Sequence, residues 1–156
     1  MEPNLDHIDL SILEQMQANA RISNADLARE LGMAPSAVLE RVKKLEQKEV
    51  IRRYTTDINP AAVGQKLLAY IFIRTTQGFT CCTNTAALLA AIPEVQEVHH
   101  IAGEDCFLIK VRTADASSLM ELMRTKMQQI PNIASTKTTI VLETAKEQPD
   151  LVIPKS

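Results

Sequence analysis

The chain has 156 residues, of which 46% are hydrophobic and 23% are charged, and its formal net charge is -2. This composition excludes a disordered or strongly basic protein, and the length allows one domain or two small ones. No signal peptide is recognisable at the N-terminus, and no apolar run approaches the roughly 20 residues of a membrane span. The three cysteines lack the spacing of metal ligands, so we expect reduced thiols in a cytoplasmic protein without metal, cofactor or membrane attachment.

Capping residues and apolar periodicity predict the first two helices. Asp6 can cap a helix whose apolar residues recur every four positions from Ile8 to Met16. Ser23 can cap the next helix, and Gly32 can take the left-handed position at its end. The predicted core face of this second helix consists of Ala25, Leu27, Ala28 and Leu31.

A third helix is predicted to begin at Pro35, because proline is tolerated in the first turn. Its predicted buried face is Val38, Val42 and Leu45. Two helices joined by so short a turn are typical of a helix-turn-helix, whose second helix leads into the DNA major groove with its N-terminal residues. Two neighbouring outward rows then supply the predicted DNA contacts: Ser36, Ala37, Glu40, Arg41, Lys43 and Lys44.

Positive charge is concentrated in and just after this third helix. Residues 34–54 hold six of the chain's 17 Lys and Arg residues, although the whole chain is slightly acidic. Acidic residues in the first helix offset this cluster, so the net charge conceals it. Taken alone, the cluster indicates either a phosphate-binding surface or a solvated helix face.

The second half of the chain alternates strands and helices. Runs of strand formers, helical stretches and turn residues predict the order strand, helix, strand, strand, helix, strand. The predicted ranges are 67–75, 83–92, 95–103, 106–113, 115–130 and 133–144. This order is typical of a ferredoxin-like βαββαβ fold, which makes the fold class α+β. Both helices would cover one sheet face, and apolar residues on the other face favour dimerisation.

Several segments, taken together, resemble the Lrp/AsnC family of transcription factors. In the first half they are "LDHIDLSILEQMQANARIS", "LARELGMAPSAVLERVKKLE" and "VIRRY". In the second half they are "PEVQEVHHIAGEDCFLIKV" and "STKTTIVLETAK". The resemblance covers nearly the whole chain, in the right order and spacing.

This resemblance implies a division of the chain and a function. Residues 1–50 would form a winged helix-turn-helix DNA-binding domain and residues 51–66 a β-linker. Residues 67–146 would form a ferredoxin-like domain for effector binding and dimerisation, and residues 147–156 a C-terminal tail. The implied function is sequence-specific transcriptional regulation, modulated by an amino acid or related small effector. The implied partners are double-stranded DNA and further copies of the chain, as a homodimer that assembles to an octamer.

Three positions depart from the family pattern. Ala34 cannot cap the third helix with its side chain, where the family often has Ser or Thr. Glu49 stands where many members have the glycine that closes the helix easily. Cys106 replaces the acid that commonly lines the effector site, while an acid, Asp105, appears one place earlier.

The resemblance also suggests which residues bind the effector. An amino acid needs donors for its carboxylate and an acceptor for its ammonium group, and a glycine turn offers free backbone N–H groups. The candidate residues are Gly103, Glu104, Asp105, Cys106, Thr136 and Thr138. The threonines also suit a strand through propensity alone, and Cys106 also suits a buried position.

Two alternatives stay open at this level. The same architecture resembles that of the sirohaem decarboxylases, for which His99 and His100 would be the candidate acid–base or haem-contacting residues. Their neighbouring positions on a strand point the two side chains to opposite faces. The other alternative is an effector-binding module that does not bind DNA. The resemblance favours the regulator, without catalytic residues.

Overall fold

The chain forms two compact units in a computed structural model that describes residues 4–76 and 82–154, without the side chains of 82 and 83. Unit 1 comprises Met1–Asp57 and Glu147–Ser156, and unit 2 comprises Ile58–Lys146. The division therefore lies seven residues beyond the predicted domain boundary at residue 50. The predicted tail also groups with the N-terminal helices. None of the described helices has the length and apolar character needed to cross a membrane.

Unit 1 contains three helices, α1 (His7–Ala18), α2 (Asn24–Leu31) and α3 (Pro35–Gln47). Asp6 caps α1 as predicted, and it forms a reciprocal capping box with Asp9. Ser23 caps α2 by accepting a hydrogen bond from the backbone N–H of Asp26 at 3.1 Å. Ala34 makes no side-chain cap for α3, so only the backbone geometry and Pro35 define that start.

The buried faces of the three helices meet in one small apolar core. Its buried residues are Ile12, Leu27, Ala28, Val38, Val42 and Leu45. The predicted core faces are thus confirmed except at Ala25, which is exposed. Ala25 precedes Leu27 by two residues, and a separation of two on a helix points side chains to nearly opposite sides.

Helices α2 and α3 end in the same hydrogen-bonded motif with different residues in its left-handed position. Gly32 has φ 64° at the end of α2, where the N–H of Met33 reaches the carbonyl of Ala28 at 2.8 Å. Glu49 has φ 56° after α3, where the N–H of Val50 reaches the carbonyl of Leu45 at 2.9 Å. Both are Schellman ends, and a residue with a Cβ is strained in the left-handed position.

The tail of unit 1 is attached to α1 by one side chain. Gln17 donates through Nε2 to the carbonyl of Leu151 at 2.7 Å and accepts the N–H of Leu151 through Oε1 at 2.9 Å. A primary amide has both a donor and an acceptor, so it can pair with a peptide backbone as a neighbouring strand would.

Unit 2 has the predicted order of elements and a four-stranded antiparallel sheet. Its members are β1 (Leu67–Thr75), α4 (Cys82–Ala90), β2 (Val95–His100), β3 (Phe107–Thr113), α5 (Ala116–Thr125) and β4 (Ile133–Ile140). The strand order is β2-β3-β1-β4, the ferredoxin-like arrangement. The predicted α+β fold class is therefore confirmed.

Both helices of unit 2 pack on one sheet face. Ile71 of β1 and Ile109 of β3 are fully buried there, together with Leu89 of α4 and Leu122 of α5. Because side chains alternate along a strand, Tyr70 and its even-numbered neighbours in β1 lie on the opposite face.

Some predicted bounds of elements differ for reasons of pairing. Strand β4 ends at Ile140 rather than at residue 144, because β1, which pairs with it, begins only at Leu67. Strand β2 ends at His100, opposite the first residue of β3. Helix α5 ends at Thr125, and its last predicted turn is a tighter 3-10 helix from Met127 to Gln129.

The predicted β-linker, residues 51–66, contains no strand in this single chain. Residues 52–59 are irregular, and Pro60–Val63 forms a 3-10 turn capped by Asn59. A strand requires a paired neighbour, and Pro60 lacks the N–H that a ladder would use.

Candidate functional site

The first candidate surface is the outward face of α3. Ser36, Glu40, Lys43 and Lys44 are all exposed, as expected for residues opposite a buried row at Val38 and Val42. Ser36 lies in the first turn, and the lysines lie two turns later. Short side chains at the leading end with cations behind them suit base edges and phosphates, respectively.

Two predicted contact residues on the neighbouring row are not fully exposed. Ala37 is half-buried, and Arg41 turns toward the start of α1. The Nη1 of Arg41 donates to Asp6 Oδ2 and to Asp9 Oδ1, each at 2.7 Å. This geometry corrects the sequence-based interpretation of Arg41 as an outward cation, which could not foresee carboxylates from another helix.

The same contact perturbs two ionisable groups. The pKa of Asp6 is lowered, first by the hydrogen bond from the backbone N–H of Asp9 and then by Arg41. The pKa of Arg41 is raised by its hydrogen bonds to Asp9 and Asp6. Each group therefore keeps its charge more firmly than it would alone.

The segment after α3 is attached to that helix through the side chain of Tyr54. The hydroxyl of Tyr54 donates to Glu46 Oε1 at 2.7 Å. Burial, followed by the Glu46 carboxylate, raises the pKa of Tyr54 to about 12. This bond holds the segment that contains the exposed Arg52 and Arg53 close to α3. Two further cations of the basic cluster thus belong to a segment that is attached to α3.

The second candidate site is the turn between β2 and β3 in unit 2. Gly103 has φ 144°, a left-handed value that favours glycine, so the turn depends on this residue. Its two acids face one cation on β1: Arg74 Nη2 lies 3.2 Å from Glu104 Oε2, and Arg74 Nε lies 3.8 Å from Asp105 Oδ1. Sequence analysis missed Arg74, although a lone charge at the end of an apolar strand was a usable signal.

Cys106 is the least accessible of the predicted effector-binding residues. Its residue is 8% exposed, and its Sγ lies 3.2 Å from Thr75 Oγ1. Its N–H donates to the carbonyl of Ile73 at 2.8 Å, which joins the turn to the end of β1. The structure therefore favours the buried role that the sequence had left open.

The two predicted threonines lie on β4, across β1 from the turn. Thr136 pairs with Ile73, and Thr138 pairs with Ile71. Both are exposed, but their register places them on the sheet face of these buried isoleucines, opposite Arg74. The six predicted residues thus separate into a turn group and an edge-strand group.

The two histidines of β2 have different surroundings. His99 lies 3.0 Å from Glu97, and this contact is the first cause that lowers the pKa of Glu97. His100 stacks on Phe107, with ring centroids 5.1 Å apart. In the described part of the chain, no group of three or more His, Cys, Asp or Glu residues is placed to hold a metal ion. The register puts His99 and His100 on opposite faces, as predicted.

Comparison with known families matches both units. Residues 5–52 match the winged helix-turn-helix DNA-binding model, and residues 68–151 match the Lrp/AsnC ligand binding domain. The chain belongs to the Lrp/AsnC family. It is therefore a DNA-binding transcriptional regulator with a ligand-binding domain, and the family resemblance inferred from its sequence is confirmed.

Individual members of the Lrp/AsnC family are similar over nearly the whole chain. The leucine-responsive regulatory protein of Haemophilus influenzae is 35% identical over 150 residues, covering 96% of this chain and 90% of that protein. The protein of the same name from Escherichia coli strain K12 is 34% identical over 153 residues, covering 96% and 92%.

Solved structures of Lrp/AsnC regulators also match. The feast or famine regulatory protein of Mycobacterium tuberculosis, complexed with L-methionine, has a TM-score of 0.88 at 32% identity, covering 97% of this chain and all of that one. A transcriptional regulator of Neisseria meningitidis, in complex with L-Met, has a TM-score of 0.87 at 25% identity, covering 96% and 97%.

Proposed function

We propose that this regulator contacts DNA through the exposed face of α3 and binds an amino acid or related zwitterion at the turn of unit 2. The observation that carries the first part is the row of exposed residues opposite the buried face of α3. Ser36 at its leading end would read base edges, whereas Lys43 and Lys44 would contact phosphates.

A salt titration tests the DNA-contacting face. The Lys43→Ala/Lys44→Ala double variant should bind every duplex more weakly, because phosphate contacts are independent of sequence. The slope of log binding constant against log salt concentration should fall by about one for each lost contact. Gln128→Ala, an exposed change in unit 2, is the control. An unchanged affinity and slope in the double variant would refute the proposed orientation of α3.

The ligand proposal depends on the pairing of charges around Arg74. Its guanidinium can bind a carboxylate, and Glu104 and Asp105 can accept from an ammonium group. In the single chain the arginine is paired with the two acids. An incoming amino acid would replace this internal pairing, because its carboxylate would pair with the arginine and its ammonium group with the acids. The L-methionine complexes of the Mycobacterium and Neisseria relatives support an amino acid as the ligand class.

Substitutions in the turn test the ligand proposal. Isothermal titration with L-methionine and L-leucine should detect binding to the unmodified protein, and Asp105→Asn or Arg74→Gln should abolish it without unfolding. The Thr138→Val variant would tell whether the threonines of β4 also contribute. Full binding in both turn variants would contradict this site.

We also propose a homodimer formed through the sheet face opposite the helices, with dimers assembling to an octamer. Tyr70, Phe72 and Leu108 are half-buried on that face, where Lys137 Nζ lies 5.8 Å from the ring centre of Phe72. A second copy would remove this apolar surface from water.

We place the protein in the cytoplasm, where its DNA target lies.

Regulation rather than catalysis is the activity we propose. The named relatives are transcriptional regulators, and no feature of His99 or His100 favours the decarboxylase alternative over a structural role. A purified protein that retards DNA and leaves haem precursors unchanged would agree with this proposal, whereas decarboxylation of a haem precursor would contradict it.

A further inference from the structure

We infer that Arg41 is a positioning residue, which fixes the recognition helix α3 against the first turn of α1 and makes no contact with DNA. The inference rests on the DNA-binding function of the chain. It assigns this cation of the basic cluster to the internal structure of unit 1.

The geometry shows a closed arrangement of three side chains. Asp6 uses Oδ1 to accept the N–H of Asp9 at 2.9 Å, and Asp9 uses Oδ2 to accept the N–H of Asp6 at 3.3 Å. Their remaining oxygens both accept from Arg41 Nη1, each at 2.7 Å. Each carboxylate therefore joins the cap of α1 to α3, so the end of one helix and the middle of another are held by the same atoms.

Exposure agrees with an internal role. The side chain of Arg41 is 29% exposed and that of Asp9 only 16%, whereas Lys44, one turn further on the same row, is exposed. One positive charge between two negative charges also gives these three side chains a combined formal charge of -1. While both ion pairs persist, Arg41 therefore offers little net attraction to a DNA phosphate.

The position of Arg41 along α3 explains how its contacts with Asp6 and Asp9 would influence DNA binding. Arg41 is five residues after Ser36, about 7.5 Å along the helix axis at 1.5 Å per residue. A small rotation of α3 around this point would displace the leading end, where base edges are approached. Base recognition requires side chains held within about 0.5 Å of their proper places. Loosening the contacts of Arg41 with Asp6 and Asp9 should therefore weaken DNA binding.

One variant distinguishes positioning from phosphate contact by the sign of its effect on DNA binding. Asp9→Asn removes one negative charge and keeps an oxygen that can accept the N–H of Asp6. If Arg41 positions α3, Asp9→Asn should weaken binding several-fold, although it makes the surface more positive. If Arg41 contacts phosphate, the same change would release the arginine and tighten binding.

Salt dependence provides the second readout. Binding is measured by fluorescence anisotropy with full-length protein and a duplex selected by the unmodified protein from a random pool. Arg41→Ala should weaken binding several-fold with an unchanged salt slope, whereas Lys44→Ala, the matched control, should flatten the slope by about one per contact. Arg41→Lys should restore most of the affinity, because a single nitrogen makes both contacts.

Each remaining outcome also decides the matter. A flatter slope in Arg41→Ala, tighter binding in Asp9→Asn, or no change in either would overturn the inference. If Arg41→Ala does not fold, the sign of the change in Asp9→Asn still decides between the two roles. If the unmodified protein bound no duplex, the proposed function would fail. The contact between Arg41 and Asp9 would then be tested by thermal melting alone. The loss of stability caused by Arg41→Ala should be smaller in an Asp9→Asn background.

Discussion

The two units of this protein place their functional side chains by different means. In unit 1, the exposed row of α3 lies opposite Val38, Val42 and Leu45 because 3.6 residues make a turn, a local property of 13 consecutive residues. In unit 2, Arg74 meets Glu104 across 30 residues because β1 and β3 pair in one register. Helical periodicity therefore fixes the first surface, whereas strand register fixes the second site.

The largest expected effects come from removing core volume in one unit at a time. Leu27→Ala in unit 1 and Ile71→Ala in unit 2 each truncate a fully buried side chain, so each should lower the free energy of unfolding by about 2–5 kcal/mol. If the units are separately stable, Leu27→Ala should impair DNA binding while L-methionine binding survives, and Ile71→Ala should do the reverse. Thermal unfolding of each variant, measured with DNA and with L-methionine, checks this. Loss of both activities in either variant would show that the two cores depend on each other.

Isolated units would sharpen the comparison. A fragment of residues 58–146 should form dimers through its sheet face, and a fragment of residues 1–57 should be monomeric and bind DNA weakly. Light scattering gives the mass of each fragment directly. Tyr70→Glu, which puts a charge on that sheet face, should make the first fragment monomeric, whereas Gln128→Glu should not. A monomeric unit 2 would instead place the self-association surface elsewhere.

The Schellman ends of α2 and α3 predict a pair of opposite stability changes within unit 1. Glu49→Gly should relieve the left-handed strain and raise the free energy of unfolding by about 0.5–1 kcal/mol, because glycine adopts φ 56° without penalty. Gly32→Ala should lower it by about 1 kcal/mol for the converse reason. Urea denaturation measures both. Glu49→Ala, which keeps the Cβ, controls for the lost carboxylate and should not reproduce the gain.

The smallest expected effect concerns pH. The folded state lowers the pKa of Asp6, so this group stabilises unit 1 above its unfolded pKa of about 3.9, and that stability is lost as pH falls through the lower folded value. Asp6→Asn should therefore be less stable than the unmodified protein at neutral pH, and the difference should shrink below about pH 4. Melting curves at several pH values test this. A difference that grew with acid would contradict the assigned cause.

Sequence analysis was most successful where the determining contacts are local. The caps at Asp6 and Ser23, the break at Gly32 and the buried row of α3 all follow from residues within two turns of one another. The strand at Leu67–Thr75 was also predicted with its exact bounds, since strand formers and breakers mark it. The order of elements then determined the fold class.

What sequence analysis could not supply depends on distant partners. The outward direction expected for Arg41 fails because two carboxylates more than 30 residues away accept from it. The ends of β2 and β4 depend on where β3 and β1 begin. The separation of Thr136 and Thr138 from Arg74 depends on register, in which odd and even positions of β1 point to opposite faces. In each case the deciding partner lies in another segment of the chain, so the local sequence does not reveal it.

The hydrogen bonds between Gln17 and Leu151 have a consequence for the order in which the protein is made. Residues 58–146 are inserted, in sequence, between the two parts of unit 1. On the ribosome, α1, α2 and α3 are synthesised first, yet the two hydrogen bonds between Gln17 and Leu151 form only when residue 151 has emerged. Domains generally fold as units during synthesis, with N-terminal ones first. Here the ligand-binding unit can fold completely before the DNA-binding unit is finished, so the part that reads DNA is completed last.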